Sequence, residues 1–432
     1  MLLVVAETIP CRPQALVVGA GLTGCLAALA LARAGWLVVV VDLLQREALV
    51  SRQRAYALSQ SSLALFQHLE LTPALAPHLW GFERLTLRAN QGSAQTHFHW
   101  NDLSTHSHWN DLSGDAPPPI GWIAEHRPMM SVLLHHLEQN PHITLQLGSS
   151  FSPARGSHGW QQGWDLVVAA DGHRSLVRQA MGVGCWGWTY DQSCITVHVR
   201  LRGVDPTMAW EVFRGEGPLA LLPMGKGSTQ VVWSTSRARG AALVAGEPQV
   251  FSQALAHALP PGVELMTVLN RPQAFPVALG LAQRLHQGNV LFLGEAAHYC
   301  HPLGGQGLNL CWRDVSHLYA MGDKVGKGER PVTWLLRTYG RRRAFDTMAT
   351  LLATDGLLRL FANSWGLLNP LRWMALKLLR HSGPLRSLVL RPMAYGWGPF
   401  AMPQGFNHGS ANSGRAHPGS DAGGQRGAPV PR

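Results

Sequence analysis

The sequence predicts an α/β protein in which a discontinuous, Rossmann-like domain carries a smaller antiparallel-sheet domain and C-terminal helices. Three observations predict it. Residues 15–42, ALVVGAGLTGCLAALALARAGWLVVVVD, read as strand, glycine turn, helix and strand. Short apolar runs recur far downstream at 166–170 and 290–293, so one sheet draws on distant segments. Between them, 193–203 and 208–236 alternate polar and apolar residues around Gly and Pro turns, the pattern of an antiparallel sheet with one buried face.

Each element has its own warrant. A five-residue apolar run meets Gly19, an Ala/Leu-rich stretch follows, Gly35 closes it, and Trp36 to Val41 begins the next strand. Helical periodicity returns over 335–380. From about Pro403 the chain is Gly, Ser, Pro, Asn and Arg without apolar period, and disorder is expected there. The resulting division gives 14–85, 120–187 and 285–335 to the nucleotide-binding domain and 86–119 with 188–284 to the smaller domain. Residues 336–398 form a helical region and 403–432 a tail. The unit THFHWNDLS at 96–104 recurs as THSHWNDLS at 105–113. Its histidines (His97, His99, His106, His108) raise a metal hypothesis, but a tandem duplication in a surface loop is the simpler reading. Two copies of nine residues cannot build a solenoid.

Composition narrows the function. Apolar residues make up 46% of the 432 and charged ones 14%, which excludes a disordered protein and suits an enzyme with a sizeable core. Six scattered cysteines without a CxxC pair read as reduced thiols in a cytosolic protein. The opening MLLVVAETIPCRP has no basic start and is broken by Glu7 and Pro10, unlike a signal peptide. No uncharged run approaches the roughly 20 apolar residues of a spanning helix. The net charge of +11 comes without zinc-finger spacing, RNP-like aromatics or a compact basic block, so nucleic acid is not the expected partner.

Two stretches carry chemistry. In Gly19-Ala-Gly21-Leu-Thr-Gly24 the first glycine makes a tight turn and the second lets backbone approach a pyrophosphate. The third lets helix and strand pack closely. Asp42 ends the next strand, where a carboxylate accepts hydrogen bonds from ribose hydroxyls. The similar Gly182-Val-Gly184-Cys-Trp-Gly187 follows a helical segment and is rejected as a second dinucleotide site. The second stretch is LFLGEAAHYCHPLGGQGLNL. Glu295 and His298 have the Glu-x-x-His spacing of di-iron carboxylate sites, but no other glutamate has a histidine three residues later. Cys300 and His301 are adjacent and ill placed to share one ion. No metal is expected. A strand ending at a carboxylate, then a Pro/Gly loop and a helix starting near Leu308, fits a ligand-facing strand end instead.

These signatures, in order, resemble the single-component FAD-dependent aromatic monooxygenases, closest to the ubiquinone-biosynthesis hydroxylases. They are the GxGxxG of Gly19, Arg54 in RAYALSQSS, Ala170-Asp171-Gly172-x-x-Ser175-x-x-Arg178, GPLALLP at 217–223, and Gly294-x-Ala296-Ala297-His298 with Pro302 and Gly305-Gln306-Gly307-x-Asn309. The resemblance spans residues 14 to about 395 and implies roles. Gly19, Gly21 and Gly24 would cradle the FAD pyrophosphate, Asp42 the adenine-side ribose and Arg54 the phosphates. Asp171 and Gly172 belong to the motif serving both FAD and the NAD(P)H donor, although Asp-Gly also simply makes turns. Pro302 and Gly305, Gln306, Gly307, Leu308 and Asn309 would lie against the isoalloxazine, and Arg127 would reach FAD from another helix. Arg178 fits a structural role as well as a ligand contact. The family normally has aspartate where this chain has Glu295, the residue expected to hold a ribityl hydroxyl, and glycine where it has Cys311.

The implied reaction uses NAD(P)H and O2 to hydroxylate an electron-rich ring, with the 190–280 sheet supplying a dry wall. No residue stands out as a general base, and packing or loop hydrogen bonding is expected of His298 and His301. Residues 356–391 interleave Leu, Trp and Phe with Arg and Lys. That suits a membrane interface holding a polyprenylated substrate, and equally a helical cap on the core. The expected location is cytoplasmic, with peripheral contact on the inner face of a membrane in the first case. The alternatives to an aromatic hydroxylase are a non-catalytic flavoprotein subunit of a quinone-biosynthetic assembly and an isoprenoid-acting FAD oxidoreductase that inserts no oxygen.

Overall fold

A computed structural model describes residues 12–89, 95–103, 119–149, 151, 153, 159–361, 369–398 and 402–403. Most of the glycine- and proline-rich tail and the opening apolar segment lie outside them, as does the duplicate at 105–113.

The first sheet has six strands and draws on both ends of the first 300 residues. Gln14–Val18 runs parallel between Leu37–Asp42 and Leu166–Ala169. Ile143–Leu147 extends one side, while Val290–Phe292 and the two-residue His286–Gln287 extend the other. Leu166–Ala169 is buried at every position because both faces of a parallel sheet are covered. The helix Leu22–Arg33, rich in Ala and Leu, lies on one face and packs on the helix Gln306–Gly326. Trp36 locks this layer, its indole N–H donating to the Gly322 carbonyl at 2.9 Å. The long separation between strand 290–292 and strand 14–18 is thus closed by a core common to both segments.

The second sheet has nine strands. Its spine is Cys185–Arg202, paired antiparallel with Thr229–Ser236 on one side and Gln273–Ala282 on the other. Leu219–Pro223, Met208–Phe213, Arg84–Ala89 and Gln95–His99 follow in order. Alternate residues of this sheet form a separate apolar core around Trp233 and Phe251. The pair His298–Tyr299 joins the edge of this sheet, so the chain crosses from the first sheet to the second within a few residues. A third, three-stranded sheet (Ala55–Leu58, Gly121–Glu125, Leu79–Phe82) bridges them and was not expected.

One expectation is corrected. The first copy of the nine-residue repeat is not a surface loop. Its residues continue the edge strand Gln95–His99, which buries Phe98, and Trp100 and Leu103 enter the same core. Asp102 is buried against Arg386 at 2.8 Å. That arginine belongs to Gly383–Tyr395, which with Val332–Phe361 and Asn369–His381 forms the C-terminal helical layer.

Candidate active site

A cavity of about 1090 Å³ opens between the two large sheets and under the C-terminal helices. Pockets for drug-sized ligands reach about 1,000 Å³, so this one has room for a dinucleotide-sized group or for two ligands together.

Its first end is built from main chain. Gly19 has φ +104°, and a Cβ there would sit 2.5 Å from the Ala170 carbonyl oxygen of the neighbouring strand. A Cβ on Gly24 would sit 1.8 Å from the Gly19 carbonyl, so the helix meets the strand through glycine alone. Gly21 differs: among the described residues nothing lies within 4 Å of its Cβ position, and it faces the cavity as the N-cap of Leu22–Arg33. With no acidic residue in that helix's first turn, its free amides are left for an anion. The Asp42 carboxylate accepts from the amides of Ala20 at 2.6 Å and Leu44 at 2.8 Å, and keeps spare lone pairs toward the cavity.

Asp171 provides a test of fit. One carboxylate oxygen accepts from the Val177 amide at 3.1 Å, whereas Oδ1 is buried with no hydrogen-bond partner among the described residues. Burial raises its carboxyl above the ordinary range. Gly172 beside it has φ +82° and open space at its Cβ position. A donor-bearing ligand would satisfy that oxygen. The open Gly21 and the orphaned Asp171 oxygen both fit a bound dinucleotide.

Arg54 lines the same cavity, its guanidinium 4.2 Å above the Phe275 ring. Arg127 does not line it. It is exposed on the helix His126–Glu138, and the preceding residue His126 takes the wall position, its Nε2 on the Leu49 carbonyl at 2.8 Å. Burial lowers the His126 pKa. Arg178 is also off the wall: buried, it donates to the carbonyls of Ala296 at 2.6 Å and His173 at 3.0 Å. Its role is to tie the two cavity loops together.

The loop from 294 to 309 closes the middle. Gly294, at φ +61°, donates its amide to Asp314 at 3.0 Å, and Ala296 is held by Arg178, so Glu295 projects between two anchors into the cavity. Cys311 packs against the Gly294 turn and leaves that turn intact. Pro302 leads into Gly304 and Gly305 at φ +66° and +62°, and the 21-residue helix Gln306–Gly326 begins with no side-chain cap. Its first residues, Gln306, Gly307, Leu308 and Asn309, line the cavity.

Asn309 has a different task from Gly307. Its side chain accepts from the Ser59 amide at 2.9 Å and the Ser62 hydroxyl at 2.7 Å. It donates to the carbonyls of Ala57 at 2.9 Å and Gly305 at 2.8 Å. All its polar capacity therefore braces the helix start against the third sheet. Gln306 likewise donates to Gly304 and Met393.

The clustered ligand types in this loop diverge. His298 bonds Asp314 at 2.7 Å, and His301 pairs with Gln192 and the Leu303 amide, its pKa lowered by burial to about 4. Burial pushes the Cys300 thiol up to about 12. Among the described residues no group of three or more His, Cys, Asp or Glu side chains is arranged to hold a metal. Behind the loop lies a buried charge network. Arg343 bonds Asp314 and Asp346 at 2.6 Å each, Arg313 bonds Asp346 at 2.8 Å, and Asp346 accepts from the Trp397 amide. Burial alone would raise the Asp314 carboxyl, but His298 and Arg343 outweigh it and hold it well below the usual carboxylate range.

The second end of the cavity is built from side chains, and sequence reasoning missed its key residues. Leu85, Leu87, Ala209, Ala220, Leu222 and Val232 make an apolar wall with Glu211 among them. The 190–280 sheet is the expected dry wall, and alternation in MAWEVF places every second residue on one face, but neither singles out Glu211.

The family described as FAD binding domain matches residues 12–123 and 163–352. The chain is 28% identical over 391 residues to the 3-demethoxyubiquinol 3-hydroxylase of Escherichia coli K12, covering 87% of this chain and 96% of the relative. It is 31% identical over 287 residues to the human mitochondrial ubiquinone biosynthesis monooxygenase, 58% of each protein. The fold matches the crystal structure of Klebsiella pneumoniae HpxO complexed with FAD and uric acid. There the TM-score is 0.67 at 18% identity, over 91% of this chain and 98% of that one. With the glycine-built cradle and the orphaned Asp171 oxygen, these findings make the chain a member of the FAD-binding-domain family, among the FAD-dependent monooxygenases that include the ubiquinone-biosynthesis hydroxylases.

Proposed function

We propose that this monooxygenase uses NAD(P)H and O2 to hydroxylate the ring of a prenylated phenol or related quinone precursor. The observation that carries the reading is the apolar arm of the cavity. Beyond the glycine loop its wall is Leu87, Phe213, Phe361, Leu376, Leu390 and Met393, drawn from the sheet and from all three C-terminal helices. The nucleotide half of FAD has no use for such a wall, whereas a ring with an alkyl chain does. The ubiquinone hydroxylases among the relatives support the same substrate class.

FAD, when bound, supplies the two-electron and O2 chemistry. This chain's residues bind, orient and keep dry. Gly19, Gly21 and the amides after them would hold the pyrophosphate, with Gly24 setting the close packing behind, Asp42 on the ribose and Arg54 on the phosphates. Asp171 and Gly172 would serve FAD and the nicotinamide donor, Glu295 a ribityl hydroxyl, and Pro302 with Gly305 to Leu308 the ring. The leucine wall excludes water, whose entry would divert reduced oxygen to peroxide. Sheet membership supports the division into a FAD-binding domain, a smaller substrate domain and a C-terminal helical region.

The same helices suit a membrane surface. Leu371, Trp373, Met374, Leu378 and Leu388 are exposed beside the exposed Lys377 and Arg380. Among the described residues no helix is long and apolar enough to cross a membrane. A cytoplasmic enzyme in peripheral contact with a membrane's inner face would draw its substrate from the bilayer this way.

The test is purified protein loaded with FAD, with NAD(P)H and oxygen consumption followed against phenols with and without an isoprenoid tail. Substrate-stimulated oxygen uptake and a hydroxylated product, favoured by the tail, are expected. Flavin without stimulated uptake would overturn the reading in favour of a non-catalytic subunit or an oxidoreductase that inserts no oxygen.

A further inference from the structure

We propose that Glu211 accepts the proton of the substrate's ring hydroxyl, which makes the ring electron-rich enough to take an oxygen atom; this rests on the hydroxylase reading above. Glu211 lies in the middle of the strand Met208–Phe213, on the cavity wall. Partners in a sheet share a face, so the register defines a row: Thr196, Val232, Ala220, Glu211, Leu87. Glu211 is the one carboxylate in that row. Its Oε2 accepts the Gly304 amide at 3.3 Å. The carboxylate therefore spans from the substrate wall to the loop where the flavin ring is expected, which is where the reacting ring must lie.

The surroundings leave this carboxylate uncompensated. On the adjoining strand, alternation puts Leu85 and Leu87 on its face and Arg84 and Arg88 on the other. Arg84 is paired with Asp205, and Arg54 stacks on Phe275. Asp42, Asp171, Glu295, Arg52 and Arg174 belong to other parts of the wall. The buried Cys194 is near enough for the Glu211 charge to act on its thiol, which burial pushes up to about 12. Burial lifts the Glu211 carboxyl to about 7, opposed only by the Gly304 amide. A buried, unpaired carboxylate is costly, and one facing a cavity is placed for proton transfer.

The proton accounting closes. The substrate O–H bond breaks and an O–H bond forms on Glu211. After the ring carbon has gained oxygen, its hydrogen leaves as a proton to the oxygen atom that departs as water, and Glu211 returns its own proton to the original oxygen. Electrons come from the nicotinamide donor, one oxygen atom of O2 enters the ring, and the other leaves as water.

The experiment compares the FAD-loaded full chain with Glu211→Gln and Glu211→Asp on a series of alkylphenols of falling hydroxyl pKa. Gln keeps an acceptor for Gly304, so flavin binding should change less than about twofold. For a phenol that is neutral at assay pH, Glu211→Gln should lower the rate of product formation about 100-fold. For one already ionised in solution the loss should shrink to a few-fold. The wild type should show an acidic limb near the Glu211 value of about 7 that Gln lacks and Asp keeps. A readout independent of turnover is thermal unfolding, where Glu211→Gln should melt higher than wild type at pH 8 and the two should converge in acid. A loss that does not depend on phenol pKa, or no loss, overturns this proposal alone. A wild type that hydroxylates no phenol overturns the hydroxylase reading and this one with it.

Discussion

The two ends of the cavity are made of different material. At the nucleotide end, glycines and helix amides do the work. A Cβ at Gly19 or Gly24 would meet backbone oxygen, while the space beside Gly21 and Gly172 is open. At the sheet end the backbone is ordinary strand, and side chains such as Leu87, Ala220 and Glu211 define the space. The difference teaches where specificity can change. A backbone-made site tolerates almost no substitution, whereas a wall of side chains can be recut residue by residue on the same sheet.

Between the ends sits the charged brace of Arg343, Asp314, Asp346 and Arg313, and the largest expected effect is there. Asp314 fixes the Gly294 amide and His298 while Arg343 joins it to the next helix. Arg343→Met removes the cation shared by two buried carboxylates and should cost about 3–5 kcal/mol. Chemical denaturation reads it directly. A loss below about 1 kcal/mol would mean that the brace is not what holds the two ends together.

Next is Gly24→Ala, which adds one methyl against the Gly19 carbonyl at 1.8 Å. Backbone must move on both sides, so a loss near about 3 kcal/mol, the upper end for overpacking, is expected. Flavin retention on purification should be lost as well. Normal flavin content in this variant would break the contrast, since the nucleotide end would then be as adaptable as the wall.

Glu211→Gln sharpens the contrast from the other side, because the sheet end carries a carboxylate that burial lifts to about 7. The folded carboxyl is raised from 4.5 to about 7, so the folded state prefers the proton. The stability this gives is complete below about pH 4.5 and is lost as pH rises through about 7. Above that, wild type carries a deficit of about 3 kcal/mol that Gln removes. Parallel unfolding curves at pH 5 and pH 8 should show the gap opening.

What was legible in the sequence follows the same division. Gly19, Gly24 and Gly305 could be read because geometry leaves a turn or close approach few other choices, whereas Gly21 and Gly307 border open cavity. Asn309 was found by position but not by role, since its bonds to Ala57, Ser59 and Ser62 cross about 250 residues of chain. Arg127 lies one residue from the wall: neighbours on a helix point about 100° apart, and His126 takes the wall position. The three-stranded sheet escaped because its strands are four or five residues long and pair across distant segments. The repeat's histidines looked loop-like, yet Phe98 and Trp100 were its informative residues. The brace was invisible because Arg313, Asp314, Arg343 and Asp346 read as helix surface until another helix covers them.

The smallest effect concerns Glu295, where the resemblance leads one to expect aspartate. Its turn is anchored on both sides, by Asp314 on Gly294 and by Arg178 on Ala296, so the backbone cannot retreat to make room for a longer side chain. The extra methylene must be absorbed by rotamer choice in the cavity, and fixing one more torsion costs about 0.5 kcal/mol. Glu295→Asp should therefore tighten FAD by about two- to threefold, an effect under about 1 kcal/mol, measurable by flavin fluorescence titration of the apoprotein. Weaker binding by a similar factor would show that the rest of the loop is shaped around glutamate. The anchored turn would then belong with the adaptable wall and not with the glycine-built end.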